Sequence, residues 1–100
     1  MHTRIATYRI TNGTFDELAQ RAEQGMLPIL QDAPGFIRYG VADAGDGTLL
    51  SVSLWSNHGD AERASALAAA WVTENIADRV ALIASKVGDF RFYEGARSSL

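Results

Sequence analysis

The stretch that decides the fold runs Phe36-Ile37-Arg38-Tyr39-Gly40-Val41-Ala42, then Asp43-Ala44-Gly45-Asp46-Gly47, then Thr48-Leu49-Leu50-Ser51-Val52-Ser53-Leu54-Trp55. The first and third segments are rich in β-branched, aromatic and other apolar residues, which are typical of strands. The middle segment contains residues that break regular structure. The pattern therefore predicts a β-hairpin at the centre of the chain.

A strand followed by a helix is predicted on the N-terminal side of the hairpin. Residues 5–10 alternate two faces, as a strand does. Thr14-Phe15-Asp16-Glu17 matches a capping box, in which the Thr14 hydroxyl accepts from the Glu17 amide and the Glu17 carboxylate accepts from the Thr14 amide. Apolar residues then recur at helical spacing, and Pro28 predicts a kink over residues 25–28.

The C-terminal side repeats this order. Residues 56–60 offer several helix caps, and the alanine-rich run that follows favours a helix. Its apolar stripe is predicted to continue to Ile83, with a break near residues 73–75. Residues 87–94 alternate Phe90 and Phe92 against polar neighbours, which predicts the closing strand there.

The resulting order, β-α-β-β-α-β, predicts an α+β ferredoxin-like fold: a four-stranded antiparallel sheet with both helices on one face. The more apolar side of each strand is expected to face the helices. This assigns to the core Ala6, Tyr8, Ile10, Ile37, Tyr39, Val41, Leu50, Val52, Leu54, Phe90 and Phe92. The opposite face, with residues such as Ile5, Phe36 and Trp55, is still too apolar for free exposure, so a partner is expected to cover it.

Composition limits the classes of function. One hundred residues suit a single domain, here 1–100 with a core over 3–94 and a tail over 95–100. The absence of cysteine makes a reducing cytoplasmic location the simplest expectation. A net charge of −3 opposes binding to nucleic acid. Neither a signal peptide nor a membrane span is expected.

Three features resemble the antibiotic biosynthesis monooxygenase (ABM) domains over residues 3–94. They are Gln31-Asp32-Ala33-Pro34-Gly35-Phe36 before the second strand, Ser53-Leu54-Trp55-Ser56 at the end of the third, and Trp71-Val72-Thr73-Glu74-Asn75 late in the second helix. The resemblance implies a dimeric α/β barrel, in which a second copy of the chain covers the open sheet face. The predicted partner is thus a homodimer mate.

The resemblance also implies an activity. Enzymes of this family oxidise aromatic phenols or quinols with O2, without flavin or metal, in a pocket between sheet and helices. Trp71 corresponds to the pocket tryptophan of quinone-oxidising members. The amide that some members carry one turn earlier corresponds to Leu67, and the nearest amide here is Asn75. No histidine lies within residues 74–84, so a haem ligand is not expected.

Each candidate residue has two interpretations. Trp71 and Asn75 would be catalytic in an oxygenase, whereas Trp71 could simply pack in the core and Asn75 could cap a helix end. Tyr8 and Tyr39 could bind a phenolic ligand or be ordinary buried tyrosines. His58 could act as a base or ligand contact, or cap a helix in solvent. His58 and Glu62 are spaced i, i+4, but two ligands do not make a metal site, so none is predicted.

Two main functions remain open from the sequence, and a third, an isomerase or cyclase on the same barrel, would need a base in the cavity. The first is a cofactor-independent monooxygenase acting on a small aromatic phenol or quinol. The second is a non-catalytic homodimeric module for ligand binding or interaction. A cavity of about 300 Å³ or more against Trp71, lined by Tyr8, Tyr39 or Asn75, would favour the first, and a closed core there would favour the second.

Overall fold

A computed structural model describes residues 1–97, so part of the predicted tail, residues 98–100, lies outside the described residues. The described residues form four strands and three α-helices, and a π-helical segment connects the first two helices. Their order along the chain is β1 (His2–Ile10), α1 (Phe15–Arg21), the π-helical segment (Ala22–Met26), α2 (Leu27–Gln31), β2 (Phe36–Gly45), β3 (Thr48–Trp55), α3 (His58–Asn75) and β4 (Val80–Asp89).

The four strands form one antiparallel sheet in the order β2-β3-β1-β4. The helices contribute to a single buried cluster with one face of this sheet. The predicted α+β ferredoxin-like fold is therefore confirmed. Within residues 1–97, no helix combines the length and the apolar composition that a membrane span requires.

The first helical region begins as its sequence predicts and then departs from regular geometry. Thr14 is the N-cap, and its hydroxyl accepts from the Glu17 amide at 3.3 Å. The Glu17 carboxylate accepts from Arg79 at 3.5 Å. The expected irregularity near Pro28 takes the form of the π-helical segment, which ends just before the turn that holds Pro28.

The predicted position of the closing strand, residues 87–94, was wrong. The strand is Val80–Asp89, and α3 ends at Asn75 without a break, so Ile83 belongs to β4 and not to a helix. Phe90 and Phe92 follow the strand and are 38% and 74% exposed, so their predicted place in the core was also wrong. The alternation of Phe90 and Phe92 with polar residues resembles that of a half-buried strand, although these residues lie outside the sheet.

The predicted facing of β3 was inverted. Leu49 and Trp55 belong to the cluster packed against the helices, together with Ala6 and Tyr8 of β1. Because side chains alternate across a strand, Leu50, Val52 and Leu54 lie on the opposite face, where Val52 is paired with Ile5. A bulge at Ile37 leaves that side chain 41% exposed, while Tyr39 and Val41 face the helices as predicted.

Candidate functional site

Tyr8 divides the space between the sheet and helix α3 into two parts. Its side chain is 6% exposed and borders both a small void next to Trp71 and a larger cavity next to Arg4. Val72 of α3 completes the partition. The two parts differ in volume and in polarity, and this difference determines where a ligand can bind.

The part next to Trp71 is closed. The void there measures about 20 Å³, which is too small for an aromatic ring. Its walls are almost entirely apolar or aromatic: Tyr8, Leu18, Ala22, Met26, Tyr39, Val41, Leu49, Ser51, Trp71, Val72, Ile76 and Val80. An oxygenase pocket against Trp71 was expected to measure about 300 Å³ or more. The closed core here therefore favours a packing role for the tryptophan.

Gly25 explains how the indole of Trp71 becomes so tightly enclosed. The backbone of the π-helical segment passes directly over the ring, and a Cβ at position 25 would lie 2.7 Å from Trp71 Nε1. Real Cβ atoms do not approach a ring atom so closely, so only glycine fits at this position. The helix irregularity and the buried tryptophan are thus parts of one packing arrangement.

The part next to Arg4 is open. It is a cavity of about 320 Å³, within the range that accommodates small ligands. It lies between α3, β1 and β4, and its lining mixes one cation, hydroxyl groups and aliphatic side chains: Arg4, Tyr8, Ser65, Ala69, Val72, Thr73, Leu82 and Ser85.

No anion among residues 1–97 forms an ion pair with Arg4 in this cavity. The residue is 4% exposed, and within residues 1–97 its Nε has no hydrogen-bond partner. Its terminal nitrogen donates to the Tyr8 hydroxyl at 3.4 Å, and none of the ion pairs formed by the described residues involves it. An arginine stays protonated at any physiological pH, and a buried cation without an anion is costly. The site therefore favours an anionic ligand.

Tyr39 lies on the far side of the closed void. It also borders a surface groove of about 350 Å³ between β2 and the first helical region. Burial raises the pKa of Tyr39 above its ordinary value of 10.0, so the residue stays a neutral hydrogen-bonding phenol near neutrality. Of the predicted ligand-binding residues, the structure brings Tyr8, Tyr39 and Trp71 together around the void.

The structure does not bring Asn75 or His58 to this group. The Asn75 amide donates to the backbone oxygen of Trp71 at 2.9 Å, in the manner of a helix-end cap. His58 begins α3 at the end of the sheet, where its ring nitrogens lie 2.9 Å from Asp89 and 2.7 Å from Glu62. Hydrogen bonds to Asp89 and then to Glu62 raise the pKa of His58.

Arg4 was missed by the sequence analysis, although a signal was present. Arg4 has the same parity along β1 as Ala6, Tyr8 and Ile10, the residues predicted to face the helices. An arginine in phase with a buried stripe needs either an anion or a route to solvent. The strand was predicted to begin only at Ile5, so this signal was not used.

Comparison with known proteins supplies a family. The family model described as "Antibiotic biosynthesis monooxygenase" matches residues 1–73. No curated protein matches the chain in sequence.

Solved structures share the fold at low sequence identity. HapK from Hahella chejuensis has 13% identity and a TM-score of 0.71, over 98% of this chain and 100% of HapK. SnoaB from Streptomyces nogalater, a cofactor-independent oxygenase, has 14% identity and a TM-score of 0.68, over 92% of this chain and 94% of SnoaB. MupZ from Pseudomonas fluorescens has 12% identity and a TM-score of 0.70, over 86% of this chain and 69% of MupZ. At these identities, the likeness concerns the fold alone.

Proposed function

Since the chain belongs to the antibiotic biosynthesis monooxygenase family, we propose that it binds the anion of a small aromatic phenol or quinol between sheet and helix α3 and oxidises it with O2 without a cofactor. The observation that carries this proposal is the buried guanidinium of Arg4 at a cavity of about 320 Å³, with an Nε that has no hydrogen-bond partner among the described residues. A likeness in fold to the cofactor-independent oxygenase SnoaB adds support.

Arg4 would act on the protonation state of the substrate. A fixed cation in a partly desolvated cavity favours the charged form of a phenol and lowers its pKa. The phenolate is more electron-rich than the phenol, so it can transfer an electron to O2 directly. Arg4 cannot accept a proton, and its role is therefore to stabilise the anion rather than to act as the base.

The overall step balances with O2 as the only oxidant. For an anthrone-type substrate, the activated ring carbon loses two hydrogens and gains one oxygen atom as a carbonyl. The second oxygen atom leaves with those hydrogens as water. Tyr8, whose hydroxyl accepts from Arg4, would keep the guanidinium directed toward the developing anion.

The direct test is oxygen uptake with a panel of hydroquinones and anthrones, comparing the unmodified protein with Arg4→Met. We expect turnover that the substitution abolishes. Arg9→Met is the matched control, because Arg9 lies on the same strand but is exposed. Unchanged turnover in Arg4→Met would refute the proposed role of Arg4.

A second candidate function is a non-catalytic ligand-binding module, and the closed void beside Trp71 favours it. This module would bind the same aromatic anions at Arg4 without consuming oxygen. Calorimetric titration of the panel under nitrogen, followed by oxygen uptake, separates the two functions. Binding without uptake supports the module, and the absence of both contradicts each proposal.

A second copy of the chain is the proposed partner for the open sheet face. That face carries Ile5, which is 44% exposed, together with half-buried Leu50 and Val52. We expect Ile5→Lys to shift the sedimentation coefficient from that of a dimer to that of a monomer. Ile29→Lys on α2, an exposed isoleucine on the helix side, should leave the sedimentation coefficient unchanged.

A further inference from the structure

Three side chains able to bind a metal meet at one end of the sheet. His2 lies at the start of β1, Asp89 at the end of β4, and His58 at the start of α3. One donor atom from each lies within 4.8 Å of the other two. We refer to these three residues as the sheet-end cluster.

Strand register explains why residues so far apart in sequence meet here. His2 is paired with Asp89 on one neighbouring strand and with Trp55 on the other. The Phe90 amide donates to the Met1 carbonyl at 3.0 Å, which fixes the two chain segments beside each other. Helix α3 begins three residues after Trp55, so its first side chain, His58, reaches the same point.

Distances within the sheet-end cluster are those of hydrogen bonds and are shorter than the donor separations around a metal ion. The Asp89 Oδ1 atom lies 2.5 Å from His2 Nδ1 and 2.9 Å from His58 Nδ1. Around a tetrahedral ion with bonds of about 2.0–2.1 Å, donor atoms are separated by about 3.3 Å. Small side-chain rotations would therefore admit an ion between the three donors.

Glu62 lies where the carboxylate partner of a metal-binding histidine would lie. His58 directs Nδ1 into the cluster, while its Nε2 lies 2.7 Å from the Glu62 carboxylate. Histidines that bind metals usually donate their second ring N–H to a carboxylate, which fixes the tautomer and the ring orientation. Glu62 occupies that position.

Access and charge also suit a cation. The side chains of His2, His58 and Asp89 are 23%, 47% and 57% exposed, so an ion can enter from solvent and keep water as a further ligand. Asp89 and Glu62 bring two carboxylates, and the nearby Arg63 is already paired with Asp60. The positive end of α3 opposes a cation, but the Asn57 side chain caps it by accepting from the Asp60 amide, and the Asp60 carboxylate lies in the first turn.

We propose that His2, His58 and Asp89 form a three-ligand binding site for a divalent transition-metal ion, with Glu62 as the positioning residue for His58. Two imidazoles and one carboxylate suit Zn2+ among the ions of this class. The ion would clip the start of β1, the end of β4 and the start of α3 together. The site is separate from Arg4, so it does not depend on the proposed oxidation.

Calorimetric titration of the untagged full chain with ZnCl2 tests the site. We expect one Zn2+ per chain and a rise in Tm on adding the ion. Replacing a ligand with His58→Ala or the isosteric Asp89→Asn should weaken Zn2+ by a factor on the order of 100 or more. Glu62→Gln should weaken it about 10- to 100-fold, because the acceptor that orients the ring loses its negative charge.

Glu74→Gln is the matched control, since Glu74 is an exposed carboxylate near the opposite end of the same helix. It should leave the affinity unchanged. Co2+ in place of Zn2+ should give the visible absorption of a tetrahedral site. This signal reports coordination directly, whereas a lower affinity in a variant could also result from damage to the fold. No Zn2+ binding below about 1 mM, or an affinity unchanged in both His58→Ala and Asp89→Asn, would overturn the proposal.

Discussion

The two sides of Tyr8 present the same layers of sheet and helix with opposite outcomes. Toward Trp71, aromatic and aliphatic side chains fill the space and leave about 20 Å³. Toward Arg4, an arginine and several hydroxyl residues border about 320 Å³. Strand β1 lines both sides, because Tyr8 borders each space and Arg4 borders the open one.

This difference shows how a small core can keep a cavity. Apolar side chains pack until no ring-sized space remains, because each methylene that contacts another gains free energy. A guanidinium cannot be covered in this way unless an anion accompanies it. The candidate site therefore lies where a charged side chain interrupts the apolar packing. Four predictions test the difference between the Trp71 side and the Arg4 side, from the largest expected effect to the smallest.

Removing the ring that fills the closed side should have the largest effect. Trp71→Ala should lower the free energy of unfolding by about 3–5 kcal/mol, because a large void replaces the buried indole. Urea denaturation measures the loss. Affinity for an aromatic anion at the Arg4 side should be retained in the folded variant.

Leu67→Ala is the control for this prediction, since Leu67 lies one turn earlier on α3 and is 38% exposed. It should cost about 1 kcal/mol or less. Loss of anion affinity in Trp71→Ala under conditions where the variant is folded would show that the two sides are one site.

Removing the charge on the open side should change stability in the opposite direction. Arg4→Met should raise the free energy of unfolding of the ligand-free protein by about 1–4 kcal/mol, because an unpaired buried cation is replaced by an apolar chain of similar length. Anion binding should be lost at the same time. A destabilisation of about 3 kcal/mol or more would mean that Arg4 is paired within the protein.

Removing only the hydroxyl between the two sides should have a smaller effect. Tyr8→Phe leaves the ring that divides the two spaces and deletes the acceptor of Arg4. We expect a loss of about 0.5–1.5 kcal/mol in the free energy of unfolding, measured by urea denaturation, and a several-fold weaker affinity for the anion. Tyr93→Phe, at an exposed tyrosine, should change neither quantity.

The smallest effect is the pH dependence due to Tyr39. Because burial raises its pKa, the folded state keeps the phenolic proton at a pH where the unfolded state has begun to lose it. This contribution is complete below pH 10.0 and is lost as pH rises through the pKa of the folded state. Tyr39→Phe should therefore flatten the fall of unfolding free energy above pH 10.0, measured by urea denaturation. An unchanged slope would contradict the burial of this phenol.

The order of elements was predictable because it depends on local signals. The hairpin over residues 36–55, the Thr14 cap and the alanine-rich helix each follow from neighbouring residues, and each is present. Together with the right-handed crossovers, these signals leave few topologies, so the ferredoxin-like fold could be inferred.

The facing of β3 and the position of β4 were not predictable in the same way. The alternation of Leu50, Val52 and Leu54 shows that one face is apolar but not which layer covers it. Similarly, Phe90-Arg91-Phe92 alternates as a strand would, but the segment that pairs with β1 is Val80–Asp89. Both questions depend on contacts distant in sequence.

The candidate site was only partly predictable for the same reason. Tyr8, Tyr39 and Trp71 could be placed together because each follows the buried period of its element. Arg4 follows the same period but is charged, and its role depends on a cavity formed with Leu82 of β4 and Ser65 of α3. The sheet-end cluster depends on strand register, which the sequence alone did not fix.

The π-helical segment has a consequence for changes in chain length. A π turn holds one residue more than an α turn, so Ala22–Met26 contains a surplus residue within an otherwise regular helical path. Deleting one residue there would allow Phe15–Arg21 and Leu27–Gln31 to merge into one continuous helix. This stretch is therefore the place in the first helical region where the chain can shorten by one residue without losing a helix.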